Sequence, residues 1–342
     1  MSMSKSRFWL AGAVFMLQAG AASAQTTLTV SSWVPQTHFL YTQILAPFGD
    51  RVSKATQGRV TVRVLPAAIG SPPQHFELAR KGAADITWGN FTYEPDRFVS
   101  LWFAEFAFAG TNAQASSTAL WRVYDKHLKS HKSYDGVQML AVGLLGGGQI
   151  HHGKKAVVQL DDLKNTKVRM GGPIQKRFLE ALGAVPVAAP APKAYELLQS
   201  GVIDASLHSM ESIVNFRLEA SLKHHTLVPD GTYDGTFFIA MNKRKWNSLA
   251  AADREAISKI SGEALSAEWG RQFDLQNSAA TAKLKAAGHQ FHDASPQLVA
   301  KIREVNDAMI KDWVEAAKKD GVADPAGMLV EYLSIYKSLA AK

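Results

Sequence analysis

One short stretch near the middle of the chain, residues 161–173, constrains the fold most, because it is typical of a strand that runs through a glycine turn into a helix. Residues 166–170 alternate along the predicted strand, which places Arg169 on one face near its carboxyl end. A Gly-Gly-Pro sequence ends the strand, and residues 174–183 are typical of a helix. This order is half of an α/β unit, and such sheets bind ligands beyond the carboxyl ends of their strands.

Arg169 is the first candidate for ligand binding that this pattern suggests. Its planar guanidinium is permanently charged and can bind a carboxylate through two parallel hydrogen bonds. The alternative is an arginine in a surface salt bridge, and most arginines in folded proteins are exposed. From spacing alone, the ligand-binding role of Arg169 therefore stays open.

The amino terminus has the features of an export signal. Lys5 and Arg7 precede an apolar stretch at residues 8–22, and Ala22-Ser23-Ala24 fits the small-x-small rule for cleavage. No later stretch is apolar for long enough to span a membrane. We therefore expect residues 1–24 to be removed after Ala24 and the mature protein to be soluble in the periplasm.

Length, charge and cysteine content restrict the remaining classes. A chain of 342 residues suits two domains better than one. The formal net charge is +8, but the basic residues are dispersed and do not form a cluster interleaved with aromatics. The absence of cysteine excludes disulfides and cysteine-ligated metals. We therefore expect a monomer without nucleic-acid partners, cofactor or metal.

Hydrophobic periodicity predicts an α/β protein in which strands and helices alternate. The main predicted strands are 28–33, 59–65, 84–89, 137–145, 166–170, 205–208 and 236–242. The main predicted helices are 39–56, 72–81, 114–132, 174–183, 193–199, one long segment at 251–275, and the last ~40 residues.

Two flexible segments predict a two-lobed architecture with a hinge. One is the glycine run at about 146–149, and the other is the turn-rich segment at about 229–236. We expect the strand at 236–242 to return to the first lobe. The predicted division is lobe I at 25–148, completed by about 235–275, and lobe II at 149–234, completed by C-terminal helices at about 276–342.

Three other kinds of site fit the residues poorly. Residues 148–155 match G-x-x-x-x-G-K but lack the final Ser or Thr, and no helix is predicted after them. The histidine pairs at 151–152 and 224–225 place neighbouring side chains on opposite strand faces, so we expect them at the surface or a lobe edge and not around a metal. No G-x-S-x-G sequence is present, and an enzyme with an unrecognised site remains the alternative.

Aromatic side chains cluster at the ends of the predicted strands. Core packing explains about half of such residues, because buried aromatics dominate cores. Loops that follow strands favour a pocket for the rest. The residues concerned are Trp33, Trp88, Phe91, Tyr93, Phe237 and Phe238.

Six stretches between about Leu28 and Asp253 together resemble the DctP-type substrate-binding proteins of TRAP (tripartite ATP-independent periplasmic) transporters. In chain order they are SSWVPQTHFL, KATQGRVTVRVLPAAIG, ARKGAADITWGN, DLKNTKVRM, ALGAVPVAAPAPKAYELLQSGVIDA and FFIAMNKRKWNSL. The resemblance implies a periplasmic binding fold with a long helix spanning both lobes. It also implies capture of a small organic acid in the cleft and its delivery to membrane permease subunits. The alternative is a secreted enzyme of similar fold that acts on an organic acid.

The resemblance assigns carboxylate binding to the arginine of the K-x-R-hydrophobic strand, which is Arg169 here. Two positions depart from the family pattern: Gly148 and Gln149 stand where a second basic residue is frequent, and His208 replaces a frequent asparagine. A single arginine with an aromatic wall favours a small monocarboxylate, such as a hydroxy acid or an aromatic acid. The further ligand-binding candidates are Trp33, His38, Asn90, Tyr93, Gln149, His208, Glu211 and Phe237.

Overall fold

The computed structural model describes residues 25–341, so the predicted export signal at 1–24 lies outside the described residues. The strands are β1 Thr26–Ser31, β2 Val60–Val64, β3 Ile86–Asn90, β4 Val137–Leu144, β5 Gln149–His152, β6 Lys167–Met170, β7 Val185–Ala188, β8 Ala205–His208, β9 His224–Leu227, β10 Thr236–Asn242 and β11 Gln290–Asp293. The α-helices are α1 Ala46–Ala55, α2 His75–Lys81, α3 Ala113–Val123, α4 Pro173–Ala181, α5 Ala194–Gln199, α6 Met210–Asn215, α7 Lys243–Ser248, α8 Ala251–Ile260, α9 Glu263–Ala286, α10 Pro296–Asp320 and α11 Pro325–Ala340.

The strands form two separate sheets, one for each lobe. The first sheet has the order β2-β1-β3-β10-β4, and the second has the order β11-β9-β5-β8-β6-β7. Strand β10 lies antiparallel between β3 and β4, and all of its residues are buried, which explains its continuous apolar sequence. The prediction that this strand returns to the first lobe is confirmed.

Strand β6 carries Arg169 and is held on both sides. It runs parallel to β7 and to β8, and Arg169 lies opposite Ser206 of β8 and Val187 of β7. Helix α4 then begins with Pro173 at its first turn, where the missing N–H of proline costs no hydrogen bond. The predicted strand, glycine turn and helix are confirmed, with ends that differ by one or two residues.

The two flexible segments carry the chain between the sheets, as expected. Residues 145–148 connect β4 to β5, and residues 228–235 connect β9 to β10. Gly146 and Gly147 both have φ of +81°, a conformation that residues with a Cβ rarely adopt.

The two connections also lie side by side and bind each other. The Gly148 N–H donates to the Tyr233 carbonyl at 2.7 Å. The carboxylate of Asp234 accepts from the backbone N–H of Leu145 at 2.9 Å and of Gly147 at 3.3 Å. Any rotation of one sheet against the other therefore has to pass through a short, backbone-bonded segment.

Helix α9 is the long helix that spans both lobes. It packs on α3 and β4 beside the first sheet and on α6 beside the second. The single helical segment predicted at 251–275 is wrong, because α8 ends at Ile260 and α9 begins at Glu263. Gly262 separates the two with φ of +66°, and its N–H donates to the Leu140 carbonyl at 2.6 Å, which anchors the break to β4.

The last helix packs differently from the expectation for residues 276–342. Helix α11 contacts α3 and the 3-10 segment Val99–Glu105, which belong with the first sheet. Its Tyr332 is fully buried, with its ring 5.2 Å from that of Phe103. Helix α11 therefore packs on the first lobe through aromatic contacts, and not on lobe II as expected. The rest of the predicted division into lobes stays our proposal.

Within residues 25–341, no helix combines the length and the hydrophobicity that crossing a bilayer requires.

Candidate functional site

A cavity lies between the two sheets and is lined from both sides. The first lobe contributes residues that follow β1, residues of β3 and of the turn after it, and residues at the start of β10, and the second contributes residues of β6, β8 and α6. The structure brings together all but one of the residues that the sequence singled out for ligand binding. Those that line the cavity are Trp33, His38, Asn90, Tyr93, Arg169, His208, Glu211 and Phe237.

Gln149 is the exception, because its side chain is used elsewhere. Its Oε1 accepts from the Val228 N–H at 2.8 Å and its Nε2 donates to the Val228 carbonyl at 3.2 Å. Both polar groups of this buried amide therefore join β5 to the second connection between the lobes. The prediction that Gln149 lines the cavity is corrected, since it stabilises the joint.

Arg169 is the only candidate that carries a permanent positive charge, and it is 4% exposed. Its Nε donates to the Ala189 carbonyl at 2.8 Å, and its Nη1 donates to the Leu207 carbonyl at 3.2 Å. These bonds fix the plane of the guanidinium and leave Nη2 toward the cavity, beside the Gly171 turn. The surface salt bridge considered above is wrong, because the side chain is buried and neutral carbonyls hold it.

Aromatic rings form the wall that faces this charge. Trp33 stacks on Trp88 with ring centroids 4.3 Å apart, and Phe237 lies 6.5 Å from Trp88. Phe273 of α9 continues the wall at 5.8 Å from Phe237. The sequence analysis missed Phe273, because its position in an amphipathic helix is the same signal that a core residue gives.

Contacts between the lobes close the cavity. The backbone N–H of Ala191 in the second lobe donates to the Tyr93 hydroxyl of the first lobe at 3.0 Å. Gly172 approaches Thr92 so closely that a Cβ added to it would lie 1.8 Å from Thr92 Cγ2. A glycine at position 172 is therefore required for the lobes to meet.

Glu211 is held within the lining by a set of short hydrogen bonds. Its Oε1 accepts from the hydroxyls of Ser209 at 2.9 Å and Ser212 at 2.6 Å, and its Oε2 accepts from the Asn215 amide at 2.8 Å. Burial raises the pKa of Glu211, and these three donors oppose that shift. Its oxygens are engaged by the protein itself.

Two histidines of the lining are neutral. Burial lowers the pKa of His38 to about 4. Burial, and then the charge of Arg169, lower the pKa of His208 well below its usual range. Neither imidazole therefore adds a positive charge to the cavity at neutral pH.

Three of the four paired histidines, His151, His152 and His225, are buried, which corrects the expectation of a surface or lobe-edge position for them, whereas His224 is partly exposed. His151 and His225 are fully buried and face each other across β5 and β9, with their Nδ1 atoms 2.8 Å apart. His225 Nε2 lies 2.9 Å from His289 Nδ1, and His289 Nε2 lies 3.3 Å from Lys223 Nζ. The sheet pairing of β9 with β5 and β11 buries these side chains together.

The proton positions in this histidine chain follow from its ends. His151 Nε2 lies 3.0 Å from the His208 carbonyl, which can only accept, so Nε2 carries the proton and Nδ1 accepts from His225. His225 then accepts from His289, and His289 accepts from Lys223. All three imidazoles are neutral in this arrangement. Across residues 25–341, no group of three or more His, Asp or Glu side chains is arranged to hold a metal ion.

The row of buried histidines formed by His151, His225 and His289 predicts how the free energy of unfolding depends on pH. Burial lowers the pKa of His151 to about 4, below the ordinary value of 6.5, so the unfolded protein binds more protons between these two values. The free energy of unfolding should therefore decrease as the pH falls from 6.5 toward 4, by about 1.4 kcal/mol per pH unit for one such group. His151→Gln should flatten this slope by up to that amount in urea titrations.

The slope of the free energy of unfolding between pH 7 and 8.5 provides the control, because His151 is neutral in that range in both the folded and the unfolded protein. The two proteins should have parallel curves in that range, whatever the substitution costs overall. An unchanged slope below pH 6.5 would contradict the assignment of a buried neutral imidazole.

Known proteins resemble the chain along most of its length. The family described as bacterial extracellular solute-binding protein, family 7 (DctP) matches residues 30–317. A protein of Comamonas testosteroni called outer membrane transporter protein TsaT is 27% identical over 336 residues, which cover 98% of each chain.

Solved structures with the same fold extend this similarity. A TRAP periplasmic solute-binding protein from Bordetella bronchiseptica, with bound (R)- and (S)-mandelate, is 34% identical with a TM-score of 0.88, covering 92% of this chain and 99% of that one. A TRAP solute-binding protein from a marine metagenome, described as specific for aromatic acid ligands and crystallised with 3-hydroxybenzoate, is 28% identical with a TM-score of 0.85 and the same coverage.

Proposed function

The chain belongs to family 7 of the bacterial extracellular solute-binding proteins, and on this premise we propose that its ligand is an aromatic monocarboxylate. The protein is a TRAP solute-binding protein, a transport receptor for organic acids. We assign the carboxylate of the ligand to Arg169 and its ring to the wall formed by Trp33, Trp88 and Phe237.

The observation that carries the proposal is a buried guanidinium without a carboxylate partner. Among residues 25–341, Arg169 forms no ion pair, and its protein partners are uncharged: the carbonyls of Ala189 and Leu207 and the neutral imidazole of His208. A buried charge without a counterion is costly, and a ligand carboxylate would remove that cost. The two N–H groups of Nη2, which lies beside the Gly171 turn, remain to donate to such a group.

The aromatic part of the proposal rests on the opposite wall. The rings of Trp33 and Phe237 line the cavity, and stacked or edge-on contacts with a ligand ring add to the hydrophobic gain of its burial. A single permanent cation favours one carboxylate over two. The aromatic acids bound by the Bordetella and metagenome proteins support this choice.

The mechanism we propose is capture by closure. After export and cleavage behind Ala24, an organic acid enters the open cleft in the periplasm and binds Arg169. The lobes then rotate about residues 145–148 and 228–235 until Gly172 meets Thr92. Closure removes water from the charge pair and strengthens it, so the ligand favours the closed form through contacts that exist only there. The closed receptor delivers its ligand to membrane permease subunits.

Substitution of Arg169 tests the assignment of the carboxylate. Arg169→Lys keeps the charge but loses the fork, and it should weaken binding of an aromatic acid. Arg169→Ala should cost about 2–5 kcal/mol, because one partner of a buried charge pair is removed. That cost corresponds to roughly 30- to 5,000-fold in affinity by calorimetry. The control is Arg177→Ala, which removes an exposed arginine of neighbouring α4 and should leave affinity unchanged. A folded Arg169→Ala protein with affinity within about threefold of wild type would refute the assignment.

Substitution of Gly172 tests closure. Gly172→Ala should place a methyl group against Thr92 and keep the lobes apart, so affinity should fall at least about tenfold, mainly through faster dissociation. The free energy of unfolding of the ligand-free protein should change little, because the open form avoids the contact.

The matched rescue is the double variant Gly172→Ala, Thr92→Ser, which removes Cγ2 and retains the hydroxyl that donates to Glu105 at 2.5 Å. Small-angle scattering should show ligand-induced compaction in wild type and in the double variant, and less in the single variant. Equal compaction in all three proteins would argue against closure at this contact.

A further inference from the structure

We propose that the ligand carries a second hydrogen-bond acceptor, separate from its carboxylate, which binds the ring N–H groups of His38 and Trp33. This inference rests on the proposed function, because it takes the carboxylate to lie at Arg169. It narrows the ligand class to aromatic acids with an oxygen function such as a hydroxyl or a keto group.

The tautomer of His38 is fixed by its neighbour. The Leu40 N–H donates to His38 Nδ1 at 3.2 Å, so Nδ1 is an acceptor and the proton of the neutral ring lies on Nε2. His38 Nε2 is buried and has no hydrogen-bond partner among the described residues. The residue is 6% exposed and lines the cavity, so this N–H is a donor that only a molecule in the cavity can satisfy.

Trp33 presents a second donor of the same kind. Its Nε1 is buried and has no partner within residues 25–341. The indole of Trp88, on which Trp33 stacks, instead donates to Ser32 Oγ at 2.9 Å. The fold thus satisfies one indole of the stacked pair and leaves the N–H of Trp33, a residue that lines the cavity, without a partner among the described residues.

The carboxylate end already has its own donors. Arg169 Nη1 lies 3.4 Å from His208 Nδ1, which makes Nδ1 the acceptor and leaves the His208 proton on Nε2. His208 Nε2 is also buried without a partner among the described residues. Arg169 and His208 come from β6 and β8 of the second sheet, whereas Trp33 and His38 follow β1 of the first. The two donor sets approach the cavity from opposite lobes.

The acceptors of the lining are largely occupied by the protein. Asn90 Oδ1 accepts from the Thr92 N–H at 2.8 Å, and Gln175 Oε1 accepts from the Gly171 N–H at 2.5 Å. Both oxygens of Glu211 are bonded to side chains of its own helix region. These oxygens already accept hydrogen bonds, whereas the ring N–H groups of Trp33, His38 and His208 have no partner among the described residues. An oxygen that accepts satisfies His38 and Trp33, and leaving buried donors unmet is costly.

Calorimetry with matched acids tests this inference. One series is phenylacetate, mandelate, phenylglyoxylate and 2-phenylglycine, and the other is benzoate, 3-hydroxybenzoate and 4-hydroxybenzoate. We expect at least one oxygen-bearing acid to bind wild type about tenfold or more tightly than its parent. In the first series 2-phenylglycine, whose ammonium only donates, should bind no better than phenylacetate. If the parent acids bind as tightly as every oxygenated acid, the inference is overturned. One carboxylate would then satisfy all four donor residues, Arg169, His208, His38 and Trp33.

Variants locate the effect at the two donors. His38→Asn retains an oxygen that can accept from the Leu40 N–H and removes the donor at the Nε2 position, and Trp33→Phe removes the indole N–H while keeping a ring on Trp88. We expect each variant to reduce the preference for the oxygenated acid and the double variant to bring it within about threefold of unity. The parent acid also contacts the ring at position 33, so the measured quantity is the ratio of the two affinities within each variant and not the affinity for the parent acid alone. A preference that persists in the double variant would overturn the inference.

Arg169→Lys separates this inference from the proposed function. It should weaken the parent and the oxygenated acid by similar factors and leave their ratio unchanged. If no acid of either series bound wild type, the proposed function would fail. If all acids bound and depended on Arg169 but not on the second oxygen, only the present inference would fail.

Discussion

The candidate site is built around one buried cation, Arg169, which forms no ion pair among residues 25–341. Arg169 is held by the carbonyls of Ala189 and Leu207, which orient its guanidinium but leave its charge uncompensated. In a low-dielectric interior such a charge strongly favours an anion. The strand order that places β6 between β8 and β7, and the glycine turn that follows, are the means by which the chain brings this group to the cavity.

In the mechanism that we propose, the charge of Arg169 couples the energetics of ligand binding to those of closure. While the cleft is open, water solvates the guanidinium, and a carboxylate gains little by replacing it. Once Gly172 meets Thr92, water is excluded and the same pair is stronger. Asp234 of the second connection accepts from backbone N–H groups of the first, so hydrogen bonds join the two segments about which we propose that the lobes rotate. A receptor built this way closes where it is occupied, which suits delivery to a membrane partner.

Local patterns in the sequence predicted the elements well and their tertiary partners less well. The ends of β8 and β10 match the predicted strands, and Arg169 lies at the predicted strand end. The burial of His151 and His225 was not predictable from their own strands, because it depends on β11, more than sixty residues after β9. Gln149 was assigned to the cavity by its position in the family pattern. Its amide instead binds Val228, a residue so far away in the sequence that no local pattern predicts the contact. Helix periodicity likewise predicted a helix that includes Phe273 but not that this residue lines a cavity.

The most direct test of carboxylate binding by Arg169 compares one ligand in its charged and neutral forms. The aromatic acid that binds tightest by calorimetry should be measured beside its primary amide, which has nearly the same size and keeps the carbonyl oxygen but carries no charge. If Arg169 binds a carboxylate as an uncompensated buried cation, the amide should bind about 100-fold more weakly or worse, since that factor corresponds to about 2.8 kcal/mol for a lost charge pair. An amide that binds within about threefold of the acid would show that Arg169 does not bind the ligand through its negative charge.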